Sequence, residues 1–205
     1  MHDFSFTTGM LIGCSIAIPI GPMGLLCIRR TLAWGMPAGI SSGLGAATVN
    51  LLHGTLVLLG MGAAVPWLSQ DSGTLHMFSG LFLLLSAART LFRRRPSLTG
   101  EATPAPALLA AYASAAAFNL VNPMAMVLIV ALLSPFAGAH PPSAGEAVLL
   151  LLGMFTAAAA WWACLCGAFA LLRRRLPADT LLYVNQGAGM LLTVYGTLAL
   201  AEAAR

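Results

Sequence analysis

The chain has 205 residues, 59% of them hydrophobic and only 8% charged, whereas a water-soluble domain carries roughly 25% charged residues. Net charge is +4, and all ten basic residues are arginines set in short clusters between apolar stretches. That pattern orients membrane segments and does not follow a nucleic-acid backbone. A soluble catalytic domain and a nucleic-acid partner are thereby excluded.

A membrane span needs about 20 apolar residues. Reading hydropathy with Arg, Pro and polar clusters as punctuation predicts spans near 4–28, 38–65, 74–92, 108–133, 146–172 and 180–203. The expected fold is an all-α membrane protein of six transmembrane helices. The N-terminal Met1-His2-Asp3 lacks the basic region of a secretory signal, and the first apolar stretch outruns a signal's usual length, so it is expected to remain as a span.

The first span contains Pro19-Ile20-Gly21-Pro22 well inside its apolar stretch. Proline lacks an amide hydrogen and clashes with the preceding turn, while glycine adds backbone freedom, so the helix is expected to open there. Arg29 and Arg30 follow and are expected in the loop after the span. The second span opens with Gly35, Gly39, Gly43 and Gly45, a face of small residues suited to close helix packing. Gly43-Leu44-Gly45 has no preceding strand, and no phosphate-loop Gly-Lys-Ser/Thr occurs anywhere, so ATP binding is discarded. Deeper in the same span lie Asn50 and His53. His53 is the ionisable side chain predicted deepest in the bilayer, where an imidazole titrating near neutrality becomes a candidate for proton relay or solute contact.

The longest connection, 93–107, holds Arg93, Arg94, Arg95 and three prolines, the makeup of an exposed linker. It divides the chain into 1–92 and 108–205, each with three spans. Because three is odd, the second half starts on the opposite side from the first, which is the geometry of an inverted-topology repeat. The fourth span carries Asn119-Leu120-Val121-Asn122-Pro123 inside its apolar stretch, at the place that matches the first break. Carbonyls and amides freed at Pro19, Gly21, Pro22, Asn119, Asn122 and Pro123 are tolerated in a membrane only where protein, water or a ligand satisfies them. A half-helix amide end attracts a carboxylate, and free carbonyls accept from an ammonium, so a zwitterionic amino acid suits both.

The fifth span carries Trp161-Trp162 near its middle, expected to pack as bulk or to wall a cavity, and ends before Arg173, Arg174 and Arg175. Nine of the ten arginines fall in or beside the connections after spans one, three and five. The positive-inside rule then puts those connections in the cytoplasm and both termini outside. Cys14, Cys27, Cys164 and Cys166 form no CxxC pair, so neither metal site nor disulfide framework is expected. All six carboxylates fall in loops or at span ends, leaving His53, an end carboxylate such as Glu146, or another ion for coupling.

The Pro19-Ile20-Gly21-Pro22 break, the run from Gly35 through Gly39 and Gly43-Leu44-Gly45-Ala46-Ala47-Thr48, and Asn122-Pro123, taken in order, resemble the lysine exporter (LysE/RhtB) family over almost the full chain. The resemblance implies a secondary exporter of amino acids or similar metabolites in a bacterial inner membrane, built from two inverted three-helix units and driven by the proton gradient. It implies no enzymatic activity and no cofactor. Its partners would be a small-molecule substrate, the lipid bilayer and a proton or other coupling ion, with no nucleic acid. A homo-oligomer stays open, because glycine faces serve contacts within or between chains. Many relatives have Asp, an aromatic and Lys where this chain has Asn50, His53 and Met124. Two other readings compete: a membrane thiol-redox carrier, which would need cysteines in both broken spans, and a non-transporting scaffold, which would have no cavity between the halves.

Overall fold

The computed structural model describes residues 2–18, 21–59, 107–133, 142–173 and 180–203, together with Phe136 and isolated helical positions between 77 and 91. Among these residues there is no strand; the chain is all-α. The first span is split into α1 (His2–Ala17) and α2 (Pro22–Trp34), which meet at a bend of 77°. α3 is Met36–Leu58. The fourth span is likewise two helices, α4 (Leu108–Leu120) and α5 (Pro123–Leu133). α6 (Ala144–Leu172) and α7 (Thr180–Ala203) follow. Among the described residues, α6 is the one helix long and apolar enough to cross a bilayer by itself, and α1 with α2 could do so as one bent span.

Two boundaries correct the sequence reading. α2 runs on to Trp34, so Arg29 and Arg30 are helical and half-buried, not loop residues. The helix stops instead at Gly35, whose φ of 94° is a conformation that side chains with a Cβ avoid. Its N–H caps the carbonyl of Thr31, and Pro37 lies in the first turn of α3. Gly35 is therefore the hinge between α2 and α3 and not part of the packing face to which its spacing assigned it. The linker 93–107 falls outside the described residues except for Ala107.

Two helix pairs form the frame. α1 packs along α6, where Gly9 and Gly13 face the backbone of Leu150 and Met154, and Gly153 faces the backbone around Phe6 and Met10. α4 packs along α3, where Gly45 faces the backbone of Tyr112 and Ala116. At each of these glycines a Cβ would overlap the partner's main chain, so backbone approach is closer than any larger residue permits. The pairs meet where α3 crosses α6: Gly43 lies against the Trp162 ring and Gly39 against Cys166. α2 packs on both α3 and α6, while α5 packs on α3 and more lightly on α1. Farther out, Gly80 and Gly196 lie face to face, with Leu200 and Leu84 beside them, joining the third-span region to α7.

The buried apolar residues fall into two clusters. One gathers Ala17, Met23, Cys27, Ala46, Ala47, Ala115, Ala158, Trp162 and Cys166. The other gathers Ile12, Val57, Ile129, Leu133, Leu150 and Met154. Along α3, Asn50 and His53 come between Ala47 and Val57; along the fourth span, Asn119 and Asn122 come between Ala115 and Ile129. A thin polar stratum therefore separates two apolar ones.

Candidate functional site

The second break is a direct consequence of Pro123. In an unbroken helix the carbonyl of Asn119 would accept from the N–H four residues on, and proline has none. The Asn122 N–H takes that carbonyl instead at 3.1 Å, closing the last turn tightly. The Asn122 carbonyl then accepts from Met126 N–H at 3.4 Å to start α5. In the first break, the donors four residues beyond Ser15 and Ile18 are Pro19 and Pro22, so neither carbonyl has its usual helical partner. Pro19 and Ile20 lie outside the described residues. Gly21 is the N-cap of α2 in an extended conformation with no side-chain cap, and Pro22, Met23 and Gly24 behind it are buried. Proline at the first helical position is preorganised for a helix start, and the Met23 and Gly24 amides that follow form a buried end that Gly21 has no side chain to cap.

The two asparagines of the polar stratum meet. Asn119 Nδ2 donates to Asn50 Oδ1 at 2.8 Å and to the Ala46 carbonyl at 3.1 Å, all of it buried. Asn119 thus joins the first half of the broken fourth span to the middle of α3, and the bond orients the Asn50 amide. Asn122 is buried and hydrogen-bonded. The side chain of Pro123 is not described.

Three buried polar atoms have no partner among the described residues: His53 Nδ1, Trp161 Nε1 and Trp162 Nε1. His53 is 7% exposed and Trp162 4%. Leaving such a group unbonded costs about 1–3 kcal/mol; His53 belongs to the polar stratum, whereas Trp162 lies in the first apolar cluster, against Gly43. Sequence reading weighed Trp161-Trp162 mainly as bulk. The Trp162 indole N–H has no partner among the described residues, although the ring lies inside the cluster that holds Met23 and Ala46.

The sequence-predicted residues divide as follows. Gly21, Pro22, Asn50, Asn119 and Asn122 lie at the breaks or bridge to them. His53 sits one turn farther along α3, beside Gly54, which meets Leu133 of α5 and Leu151 and Met154 of α6. Gly39, Gly43 and Gly45 are all at helix contacts, each against a different neighbour. Glu146 forms a capping box with Ser143: the Ser143 N–H donates to Glu146 Oε2 at 3.0 Å, and the Glu146 N–H donates to Ser143 Oγ at 3.4 Å. That carboxylate caps the start of α6.

Sequence reasoning missed Arg30. Its Nη1 donates to Ser42 Oγ at 2.8 Å and to the Ala111 carbonyl at 2.6 Å, and its Nη2 donates to Ser114 Oγ at 2.9 Å. One side chain of α2 thereby ties α3 and α4. It also missed the approach of two thiols. Cys27 of α2 and Cys166 of α6 are fully enclosed and come together around Gly39, with Thr31 alongside. No group of three or more His, Cys, Asp or Glu among the described residues is arranged to hold a metal ion.

Two interrupted apolar segments flank a buried amide pair. The LysE type translocator family matches residues 14–203, nearly the whole chain, and the protein belongs to that family, a family of transporters. An uncharacterized membrane protein of Oltmannsiellopsis viridis, ycf78, is 34% identical over 82 residues. That stretch is 40% of this chain and 10% of the relative's own length, so the chain spans only a small part of it. No solved structure matches.

Proposed function

We propose that the protein is a secondary active exporter of an amino acid or similar small metabolite, working by alternating access across a bacterial inner membrane. The observation that carries this reading is the Asn50–Asn119 bridge beside two proline-started half-helices, between two apolar strata. A solute carboxylate would take the uncapped Met23 and Gly24 amides, and its ammonium would take the carbonyls freed ahead of Pro19 and Pro22. His53 would carry the coupling proton, since it is the buried imidazole one turn from the bridge.

The reading includes an inverted repeat of 1–92 and 108–205, joined by a cytoplasmic linker at 93–107, with both termini outside. What supports it is the exchange pattern of the packing. The first half of span one lies on span five, and the first half of span four lies on span two; exchanging the halves turns each pairing into the other. The light contacts of α5 with α1 and of α2 with α4 exchange in the same way. Two framed pairs, α1 with α6 and α3 with α4, would then rock against each other about the α3–α6 crossing.

Efflux from vesicles preloaded with an amino-acid mixture tests the reading. Wild-type protein is expected to release a subset of the mixture, and Pro22→Ala and Asn122→Ala to release it slowly. Wild-type rates in both variants would remove the breaks from the mechanism. The redox alternative has little footing, because the thiols brought together are Cys27 and Cys166 of spans one and five, both fully enclosed.

A further inference from the structure

Arg30 sits where one half-helix would have to move. α2 lies between the two framed pairs, against α3 on one side and α6 on the other. All three guanidinium bonds of Arg30 go away from α6, one to α3 and two to α4. A second tie at the same end, Ser41 Oγ donating to the Leu108 carbonyl at 2.6 Å, holds α3 to the start of α4. One turn deeper on α2, Cys27 closes against Cys166 of α6 with neither thiol exposed. The end of α2, the start of α3 and the start of α4 are thus closed by a charged layer over a thiol layer.

The acceptors in that charged layer are all neutral. Among the described residues no carboxylate lies on the Arg30 guanidinium, although the group is half-buried. Neutral acceptors hold a guanidinium less firmly than a carboxylate, which accepts two parallel N–H bonds with opposite charge. A ligand shifts a conformational equilibrium only through interactions that differ between the states. In this arrangement the Arg30 donors are taken by Ala111 and Ser114; separation of α4 from α2 would free them. Ser114 is exposed, which leaves the outer edge of this site uncovered.

We propose that Arg30 is the latch of this gate, and that a solute carboxylate, before it reaches the Met23 and Gly24 amides, opens it by replacing the Ala111 carbonyl and Ser114 hydroxyl on the guanidinium. The proposal rests on the exporter reading and narrows its substrates to solutes bearing a carboxylate. Amines lacking that group would not trip the latch.

The native thiols report on the gate. In a Cys14→Ser, Cys164→Ser background only Cys27 and Cys166 remain, and their labelling by N-ethylmaleimide in purified protein measures how often α2 lifts. Arg30→Gln is expected to speed labelling by roughly tenfold or more, the loss of charge-assisted bonds. Ser114→Ala, which removes one exposed acceptor and is mild for folding, is expected to speed it by roughly fivefold, the loss of one solvent-weakened guanidinium bond. A mixture of neutral amino acids should accelerate labelling of the parent, the matching decarboxylated amines should not, and Arg30→Gln should respond to neither. Labelling of Arg30→Gln at the parent rate overturns the latch; if that variant does not accumulate, the parent rate in Ser114→Ala does so. Equal acceleration by amines, or none by amino acids, overturns the carboxylate trigger. Efflux measured in parallel separates the two ideas: labelling that responds without efflux sinks the exporter reading, and efflux with unresponsive labelling sinks the latch.

Discussion

α2 and α5 are counterparts, each a half-helix that starts at a proline followed by methionine and lies between framed pairs, yet different chemistry holds them. α2 carries Arg29 and Arg30, and its far end is fastened by directional bonds to Ser42, Ala111 and Ser114. α5 has the sequence PMAMVLIVALL, without a charged or hydrogen-bonding side chain, and buries Ile129 and Leu133 completely among Ile12, Val57, Leu150 and Met154. A directional bond can be exchanged for another of equal or better strength, so α2 is suited to answer a polar solute. Apolar contact in a dry interface has no such substitute, so α5 moves only when the packing around it moves. Under the proposed latch, recognition falls to one end of the molecule and passive sealing to the other.

The largest effect is expected where the frame itself is tested. Gly45→Leu and Gly153→Leu each drive a side chain into the partner's backbone, and each should cost about 3 kcal/mol or more. Both should abolish a single folded peak in detergent size exclusion; survival of one but not the other would show the two frames to be unequal. Next come the breaks. Pro22→Ala and Pro123→Ala should each slow efflux at least about tenfold, which is about 1.4 kcal/mol on the barrier. A variant that keeps the wild-type rate reduces its break to a simple kink.

Asn119→Leu removes the donor from Asn50 and leaves a buried carbonyl oxygen alone, a loss of about 1–3 kcal/mol in thermal stability. Adding Asn50→Leu should return part of it, because no orphan then remains. His53→Gln is predicted to flatten the pH dependence of efflux between about pH 5 and 8, where an imidazole changes charge, with little effect on thermal stability. A pH profile that overlays the wild type would make His53 structural. The smallest effect belongs to Ser143→Ala, which loses the cap of α6 and should lower stability by about 1 kcal/mol without changing efflux.

Much of this architecture can be read from residue order because the bilayer penalises most departures from a simple pattern. Hydropathy predicts 108–133 and 180–203, and the helices there run Leu108–Leu133 with one interruption and Thr180–Ala203. The interruption at Asn122 is equally visible, since a proline without its N–H must reroute the Asn119 carbonyl. What escapes a one-dimensional reading is anything settled by a neighbour from a distant part of the chain. Arg30 looks like a loop residue until Ser42, Ala111 and Ser114 converge on it. Cys27 and Cys166 are separated by most of the sequence. The α1–α6 seam had a faint signal in Gly9 and Gly13, four residues apart, but nothing local names Leu150 and Met154 as their partners. Gly35 carried the opposite error: spacing put it on a packing face, and only its backbone conformation shows it to be the turn.

Each of the two framed pairs draws one helix from before the linker and one from after it. Scission at 93–107 would consequently not release two self-sufficient modules, because each fragment would expose a glycine groove shaped for the other. Separately expressed fragments should be degraded alone and rescued when made together.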